Sequence, residues 1–101
     1  KMQDFRLKVF QTVAEKLNFT SAAETLFITQ PAVTLQIKKL EEDLGVKLFD
    51  RSNGKVRLTE AGKVLLEYAK QIGNLYDELE TELGALVGEE RGKLALGAST
   101  T

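Results

Sequence analysis

The side chains that could carry chemistry in this chain of 101 residues are hydrogen-bond donors and cations rather than nucleophiles or metal ligands. Cysteine and histidine are both absent, which removes thiol and imidazole chemistry and nearly every zinc, haem or iron–sulfur site. Carboxylates are plentiful, but none has the spacing of a calcium loop and no pair lies on a predicted pocket. The composition therefore disfavours an enzyme and predicts no metal or cofactor site in this chain.

Basic side chains are concentrated in the first part of the chain, although the net charge is −1. Residues 1–59 contain ten Lys and Arg against seven Asp and Glu, whereas residues 60–101 contain four against eight. Because screening limits electrostatic reach to about 8–10 Å at physiological salt, a local excess of this kind is what a phosphate backbone senses. On charge alone, a solvated face without any partner is an equally good interpretation.

Two amphipathic segments open the chain and must position some of these side chains. Apolar residues at steps of three and four predict a helix over residues 4–17, and Asp4 favours its N-terminal end. Asn18 and Phe19 interrupt this pattern. We predict that Thr20 is the N-cap of a short second helix.

A third helix is predicted from the only proline to a glycine. Pro31 fits the first turn of a helix, so either Thr29 or Gln30 is the N-cap, and Gly45 ends the helix. The apolar residues of its buried stripe follow steps of four, three and four: Val33, Ile37, Leu40 and Leu44.

From residue 46 the apolar period changes to two, which predicts a small two-stranded hairpin over residues 46–58, called the wing below. The pair Asn53-Gly54 between the two runs is a strong hairpin signal. Basic residues occupy the predicted outer face and tip of the wing: Lys47, Arg51, Lys55 and Arg57.

Residues 60–87 are predicted to form one long helix that Thr59 caps. At roughly 1.5 Å per residue this helix is about 42 Å long, more than the preceding 58 residues can cover. Its apolar side chains, called the seam below, have the spacing of a coiled coil and predict a homodimer interface: Leu65, Tyr68, Ile72, Leu75, Tyr76, Leu79 and Leu83. Residues 88–92 are predicted to form a linker and residues 93–101 the start of a strand without a partner in this chain.

A short helix, a tight turn, a second helix and a basic hairpin is the plan of a winged helix-turn-helix. The predicted fold is therefore mainly α, with three helices and a two-stranded wing in residues 1–58 and a long dimerisation helix in residues 59–88. Residues 89–101 are then a hinge and the first strand of a further domain. A three-helix core whose hairpin has no binding role is the alternative that this pattern leaves open.

The residues also resemble a known family. The run from Phe19 to Glu41, FTSAAETLFITQPAVTLQIKKLE, resembles the helix-turn-helix of LysR-type transcriptional regulators. The segments 45–51 and 58–62 are similar to the wing of that family, and the resemblance covers residues 4–99. It implies a DNA-binding domain, a linker helix that pairs two subunits, and an effector-binding domain for small metabolites outside this chain. It also implies tetramers on promoter DNA for the whole protein.

Carried onto this sequence, the resemblance implies base-reading and phosphate positions on the third helix and the wing: Thr29, Gln30, Pro31, Thr34, Leu35, Lys38 and Arg51. At about 100° per residue, Pro31, Leu35 and Lys38 fall opposite the buried stripe, so helix 31–44 would enter the major groove by this face. We expect Gln30 to pair with an adenine and Leu35 to pack on a thymine methyl.

Further contacts to the DNA backbone are expected from residues beside the third helix. Thr20 and Thr29 at helix N-termini can donate to phosphates, and Lys55 and Arg57 in the wing meet phosphates only. Ser21 stands where members of the family often carry arginine, as Leu35 stands where they often carry a basic residue. The wing, residues 46–58, is expected on the backbone or in the minor groove.

Three consecutive acids end the third helix: Glu41, Glu42 and Asp43. Negative charge in the last turn of a helix is unfavourable by about 0.3–1 kcal/mol for each charge. The sequence offers compensation only through nearby lysines: Lys38, Lys39 and Lys47.

The rival functional hypothesis is a coiled-coil interaction module whose globular head binds protein and not DNA. Salt-sensitive retention on duplex DNA would separate the two hypotheses. No segment approaches the roughly 20 apolar residues of a membrane span and no signal peptide opens the chain, so a cytoplasmic protein without a membrane partner is expected.

Overall fold

The structure, a computed structural model, describes the backbone of residues 4–100 and the side chains of residues 4–88. Three helices precede a short hairpin and a long fourth helix. The elements in chain order are α1 (Phe5–Lys16), α2 (Phe19–Leu26), α3 (Gln30–Leu44), β1 (Phe49–Asp50), a 3₁₀ turn (Ser52–Gly54), β2 (Arg57–Leu58) and α4 (Glu60–Thr100). This is the predicted winged helix-turn-helix followed by a long helix, and the predicted fold class is confirmed.

Each of the first three helices begins at a side-chain cap. The Asp4 carboxylate accepts hydrogen bonds from the first turn of α1, and the Thr29 hydroxyl accepts one from the Ala32 amide at 3.3 Å, which makes Thr29 the cap of α3. The cap of α2 is Asn18, whose side chain accepts from the Ser21 amide at 2.8 Å. The prediction that Thr20 caps this helix is therefore wrong. Asparagine is an equal or better cap, and a helix that begins after Asn18 places the Phe19 side chain in the core.

The same helices end in left-handed backbone. Gly45 closes α3 with φ 72°, as predicted, and Leu17 and Phe27 close α1 and α2 with φ 51° and 58°. A left-handed conformation without glycine is unfavourable, but it lets each helix stop within one residue and turn sharply. The side chain of Phe27, in the turn between α2 and α3, is almost fully exposed.

The core fills the space between the first three helices and the hairpin. The buried stripe predicted for α3 is confirmed at three positions, while Leu44 in the last turn is half exposed. Residues Leu65 and Leu66 of α4 pack against the core from outside. The core consists of side chains from the three helices, from β1 and from Leu48 just before it: Val9, Phe10, Val13, Ala14, Phe19, Ala22, Ala23, Val33, Ile37, Leu40, Leu48 and Phe49.

The hairpin is antiparallel but shorter than predicted. Phe49 pairs with Leu58 and Asp50 pairs with Arg57, so each strand has only two residues. Before β1, the amide of Leu48 donates to the Glu41 carboxylate of α3 and not to the paired strand. The predicted turn at Asn53-Gly54 is present as a 3₁₀ turn with both residues at positive φ.

Helix α4 begins at Thr59, whose hydroxyl accepts from the Gly62 amide at 3.0 Å, as predicted. The same hydroxyl donates to the Lys47 carbonyl at 2.6 Å, and the Thr59 amide donates to the Leu48 carbonyl at 3.0 Å. A Cβ on Gly62 would lie 2.2 Å from the Leu48 carbonyl oxygen. The first turn of α4 is thus hydrogen-bonded to the start of the wing, and the backbones at Gly62 and Leu48 are in direct contact.

The backbone of α4 is helical through Thr100. The predictions of a linker at residues 88–92 and of a strand at residues 93–101 are therefore wrong for the described backbone. A strand needs a neighbour to satisfy its amides and carbonyls, and within residues 4–100 the only strands are the two that pair in the wing. Alanine and leucine, which are frequent in this segment, favour a helix when no sheet is available.

No helix in the described part of the chain is long and apolar enough to cross a membrane. Residues 4–88 also contain no group of acidic side chains that could hold a metal ion.

Candidate nucleic-acid interface

Helix α3 presents one face to the core and the opposite face to solvent. Pro31, Leu35 and Lys38 are exposed on the outward face, where the helical geometry predicted them. Half of the Leu35 surface is accessible to solvent, so this leucine contributes little to the core. An exposed, largely uncharged helix face of this kind is suited to the floor of a DNA major groove.

The N-terminal turn of α3 carries two polar side chains that hold each other. The Gln30 Nε2 atom donates to the Thr34 Oγ1 atom at 3.1 Å, and both side chains are partly buried. This bond uses one N–H of the Gln30 amide. The second N–H, the carbonyl oxygen of Gln30 and the Thr34 hydroxyl hydrogen stay available, so the pair can offer one acceptor and two donors to a base edge.

Two depressions flank this turn and contain most of the predicted DNA-binding residues. The helix–wing groove, of about 560 Å³, lies between α3 and the wing and includes Thr34, Lys38 and Arg51. The N-terminal groove, of about 460 Å³, lies at the start of α2 and includes Thr20, Gln30, Arg51 and Lys55. Arg51 belongs to both grooves, so a single guanidinium connects the recognition helix to the wing.

The other predicted contacts lie outside these grooves. Thr29, Pro31, Leu35 and Arg57 are exposed and lie beside the grooves rather than in them. Ser21 is partly buried, and its amide is already bonded to the Asn18 cap, so this amide is not free for a phosphate.

Arg51 is not at the tip of the wing, where the sequence predicted it. The 3₁₀ turn Ser52–Gly54 forms the tip, and the Arg51 guanidinium carbon lies 4.2 Å from the centroid of the Phe19 ring. The prediction is wrong because β1 ends one residue before Arg51, which leaves this side chain free to fold back over the first turn of α2.

Asp50 orders the turn at the tip of the wing. Its Oδ1 atom accepts from the Ser52 amide at 2.9 Å. Hydrogen bonds from the Ser52 amide and hydroxyl lower the pKa of Asp50 below its ordinary value, and the positive charge of Arg57 on the paired strand acts in the same direction. Asp50 is ionised at neutral pH, and it shapes the 3₁₀ turn of the wing. The exposed cations Lys55 and Arg57 follow this turn.

The acids at the end of α3 have partners that the sequence predicted only in part. The Glu41 carboxylate accepts from the amides of Leu48 at 2.8 Å and Phe49 at 3.4 Å, and the Lys47 ammonium lies 3.9 Å away. Pairing with Lys47 is confirmed, but the two backbone amides were missed because they depend on where the wing folds. Asp43 forms an ion pair with Arg6 of α1, which nothing in the local sequence indicates.

The seam of α4 divides into a covered part and an uncovered part. Leu65 packs on the core of its own chain, and Ala69 is buried beside α1. Ile72 and Tyr76 are partly buried, and Tyr76 lines a depression of about 240 Å³ between α1 and α4. The uncovered part, available to another molecule, consists of Tyr68, Leu75, Leu79 and Leu83.

Helices α2 and α3, joined by a tight turn, and the basic wing that follows them define a winged helix-turn-helix protein. Residues 5–63 match the model of the family described as bacterial regulatory helix-turn-helix proteins, lysR family. The chain belongs to this family, and the resemblance stated above is confirmed.

Relatives agree with this assignment. The chain is 45% identical over 96 residues to a probable RuBisCO transcriptional regulator of Thalassiosira pseudonana, a match that covers 95% of this chain and 31% of that protein. A LysR-family transcriptional regulator from Eggerthella lenta has 49% identity and a TM-score of 0.65, and the match covers 68% of this chain and 99% of that structure. The chain spans about a third of the length of the curated relatives it matches.

Several of the similar structures were solved as complexes with DNA. The crystal structure of the CbnR DBD–DNA complex has 40% identity and a TM-score of 0.79. The match covers 85% of this chain and 99% of that one.

Proposed function

We propose that this chain binds double-stranded DNA in a sequence-specific manner as the DNA-binding part of a LysR-type transcriptional regulator. Helix α3 enters the major groove and the wing contacts the backbone or the minor groove. The observation that carries the proposal is the outward face of α3, which the chain leaves uncovered beside a basic wing. The similarity to a chain solved as a complex with DNA supports the same placement.

Sequence choice is proposed to come from the first two turns of α3. The Gln30 amide suits the N6 and N7 atoms of adenine, and the Thr34 hydroxyl that holds it can reach a neighbouring base. Leu35 supplies an apolar surface for a thymine methyl. This combination predicts a half-site rich in A·T pairs rather than one built on guanines.

Affinity is proposed to come from cations that contact phosphates. Lys38 on α3 and Lys55 and Arg57 in the wing are exposed, and each can neutralise one phosphate. The Thr29 hydroxyl, which accepts a capping bond through its oxygen, can donate its hydrogen to a phosphate at the same time. Removal of one such cation should make the slope of the logarithm of the association constant against the logarithm of the salt concentration less steep by roughly 0.9.

We propose that two chains pair through α4, because part of the apolar seam of this helix is not covered by its own chain. Leu75 and Leu79 are exposed on one face, and their side chains are too apolar to leave in water over several turns. Two copies of the uncovered seam would cover each other.

For the whole protein, we propose a further domain that binds a small effector, assembly into tetramers on promoter DNA, and a cytoplasmic location. These proposals rest on membership of the family and on the length of the relatives, about three times that of this chain.

The experiment is selection of bound sequences from random duplexes, followed by measurement of affinity by fluorescence anisotropy at several salt concentrations. Enrichment of one A·T-rich motif, with affinity that falls as salt rises, is the expected result. Indifference to all duplexes, together with a stable dimer in sedimentation, would support the coiled-coil interaction module instead. The Lys38→Ala variant should bind more weakly and show a flatter salt dependence than the wild-type chain. Lys70→Ala is its control, because Lys70 is an exposed lysine of α4 outside the proposed interface.

A further inference from the structure

Three phenylalanines form a connected cluster beneath the wing. The rings of Phe10 and Phe49 are 5.4 Å apart at a tilt of 46°, and those of Phe19 and Phe49 are 5.8 Å apart in an edge-on arrangement. Phe10 is fully buried, and Phe19 and Phe49 are buried except for a small fraction of their surface. The position of the Phe19 ring is therefore fixed by the core.

The outer face of that ring carries the Arg51 guanidinium, with 4.2 Å between the guanidinium carbon and the ring centroid. Within the described residues no acidic side chain forms an ion pair with Arg51. The adjacent carboxylate, Asp50, is engaged by Ser52. The ring is thus the contact that determines where this cation lies.

We propose that Phe19 is a positioning residue for DNA binding, which acts by holding Arg51 between the helix–wing groove and the N-terminal groove. The inference rests on the proposed function. A guanidinium held over an aromatic ring makes no hydrogen bond to that ring's face, so its N–H donors remain available for phosphate or base acceptors. The contact with Phe19 therefore orders the long side chain before DNA arrives, which reduces the entropy lost on binding.

The test is a double-mutant cycle on the selected DNA site, with Phe19→Leu, Arg51→Ala and the double variant. Phe19→Leu should weaken binding about 2–5-fold, the factor that corresponds to a cation–π contact of about 0.5–1 kcal/mol at an exposed site. In the Arg51→Ala background the same change should have no further effect. The folded fraction of each variant is checked by circular dichroism at the temperature of the binding assay.

Phe10→Leu is the matched control, because Phe10 contacts the same Phe49 ring, whereas the ring beneath Arg51 is that of Phe19. Its effect on binding should be the same with and without Arg51. Phe19→Tyr retains the aromatic face and should restore most of the affinity that Phe19→Leu loses.

Additive losses for Phe19→Leu and Arg51→Ala would overturn the inference, since the ring would then act through the core alone. A cycle in which Phe10→Leu couples to Arg51 as strongly as Phe19→Leu would overturn it as well. If the wild-type chain bound no duplex, the proposed function itself would fall. Wild-type binding with additive losses would overturn only the role of Phe19.

Discussion

The bond between Glu41 and the wing allows a prediction with a worked magnitude. Replacement of Glu41 by alanine removes the acceptor of two backbone amides, at 2.8 and 3.4 Å, and the Glu41 side chain is only 13% exposed. Loss of a charged acceptor from a shielded amide costs about 1.5–3 kcal/mol, and the longer bond adds little. Lys47 is mostly exposed, so its ion pair contributes at most a few tenths of a kcal/mol.

One effect acts in the opposite direction. A carboxylate in the last turn of α3 opposes the helix dipole, and its removal returns about 0.3–1 kcal/mol. The expected net loss for Glu41→Ala is therefore about 1–2 kcal/mol of unfolding free energy. In a domain of this size that corresponds to a decrease in Tm of about 4–16 °C.

The assay is urea unfolding followed by circular dichroism, with a thermal scan as a second measurement. Glu42→Ala is the matched control, because Glu42 is the neighbouring acid, is exposed and opposes the same helix dipole, so this change should leave stability unchanged or raise it by up to about 1 kcal/mol. Glu41→Gln keeps an uncharged acceptor and should lose roughly half as much as Glu41→Ala. Equal stabilities for the alanine variants at 41 and 42 would refute the role assigned to the Glu41 carboxylate.

Three further predictions follow from burial and exposure. Gly62→Ala should cost about 1–3 kcal/mol in urea unfolding, because its Cβ would overlap the backbone of the wing, whereas Gly73→Ala has open space and should stabilise by up to about 1 kcal/mol. Leu35→Ala should leave Tm nearly unchanged yet lose about 1 kcal/mol of preference for T at one half-site position, measured against all four bases; unchanged preference would make Leu35 a bystander. Replacement of both Leu75 and Leu79 by Asp should give folded monomers in sedimentation, and a persistent dimer would show that the chains pair elsewhere.

Local signals in the sequence predicted the helices because each depends on residues within a few positions. Three of the four stripe positions of α3, the glycine that ends it and the cap Thr59 agree with the prediction, as does the place of Asp4 at the N-terminal end of α1. The cap of α2 was assigned to Thr20 and not to Asn18, since both residue types suit the position and only the burial of Phe19 decides between them.

Features that join distant parts of the chain were not predictable in this way. The bond from Glu41 to the wing amides, the ion pair of Arg6 with Asp43 and the position of Arg51 each depend on how the elements pack. The predicted strand after residue 92 failed for a related reason. A strand is defined by its neighbour, and within residues 4–100 the only strands are the two of the wing.

The close approach of Gly62 to the wing has a mechanical consequence. With no space for even a methyl group at this joint, the first turn of α4 packs directly on the backbone of the wing, and we expect it to move with the domain that it leaves. In a pair of chains, the crossing angle of the two α4 helices then sets the separation of the two recognition helices. DNA offers successive major-groove faces about 34 Å apart, so a small rotation at the crossing would change which operator spacing fits. A signal that reaches only the far end of α4 could in this way be read on the DNA as a change of distance.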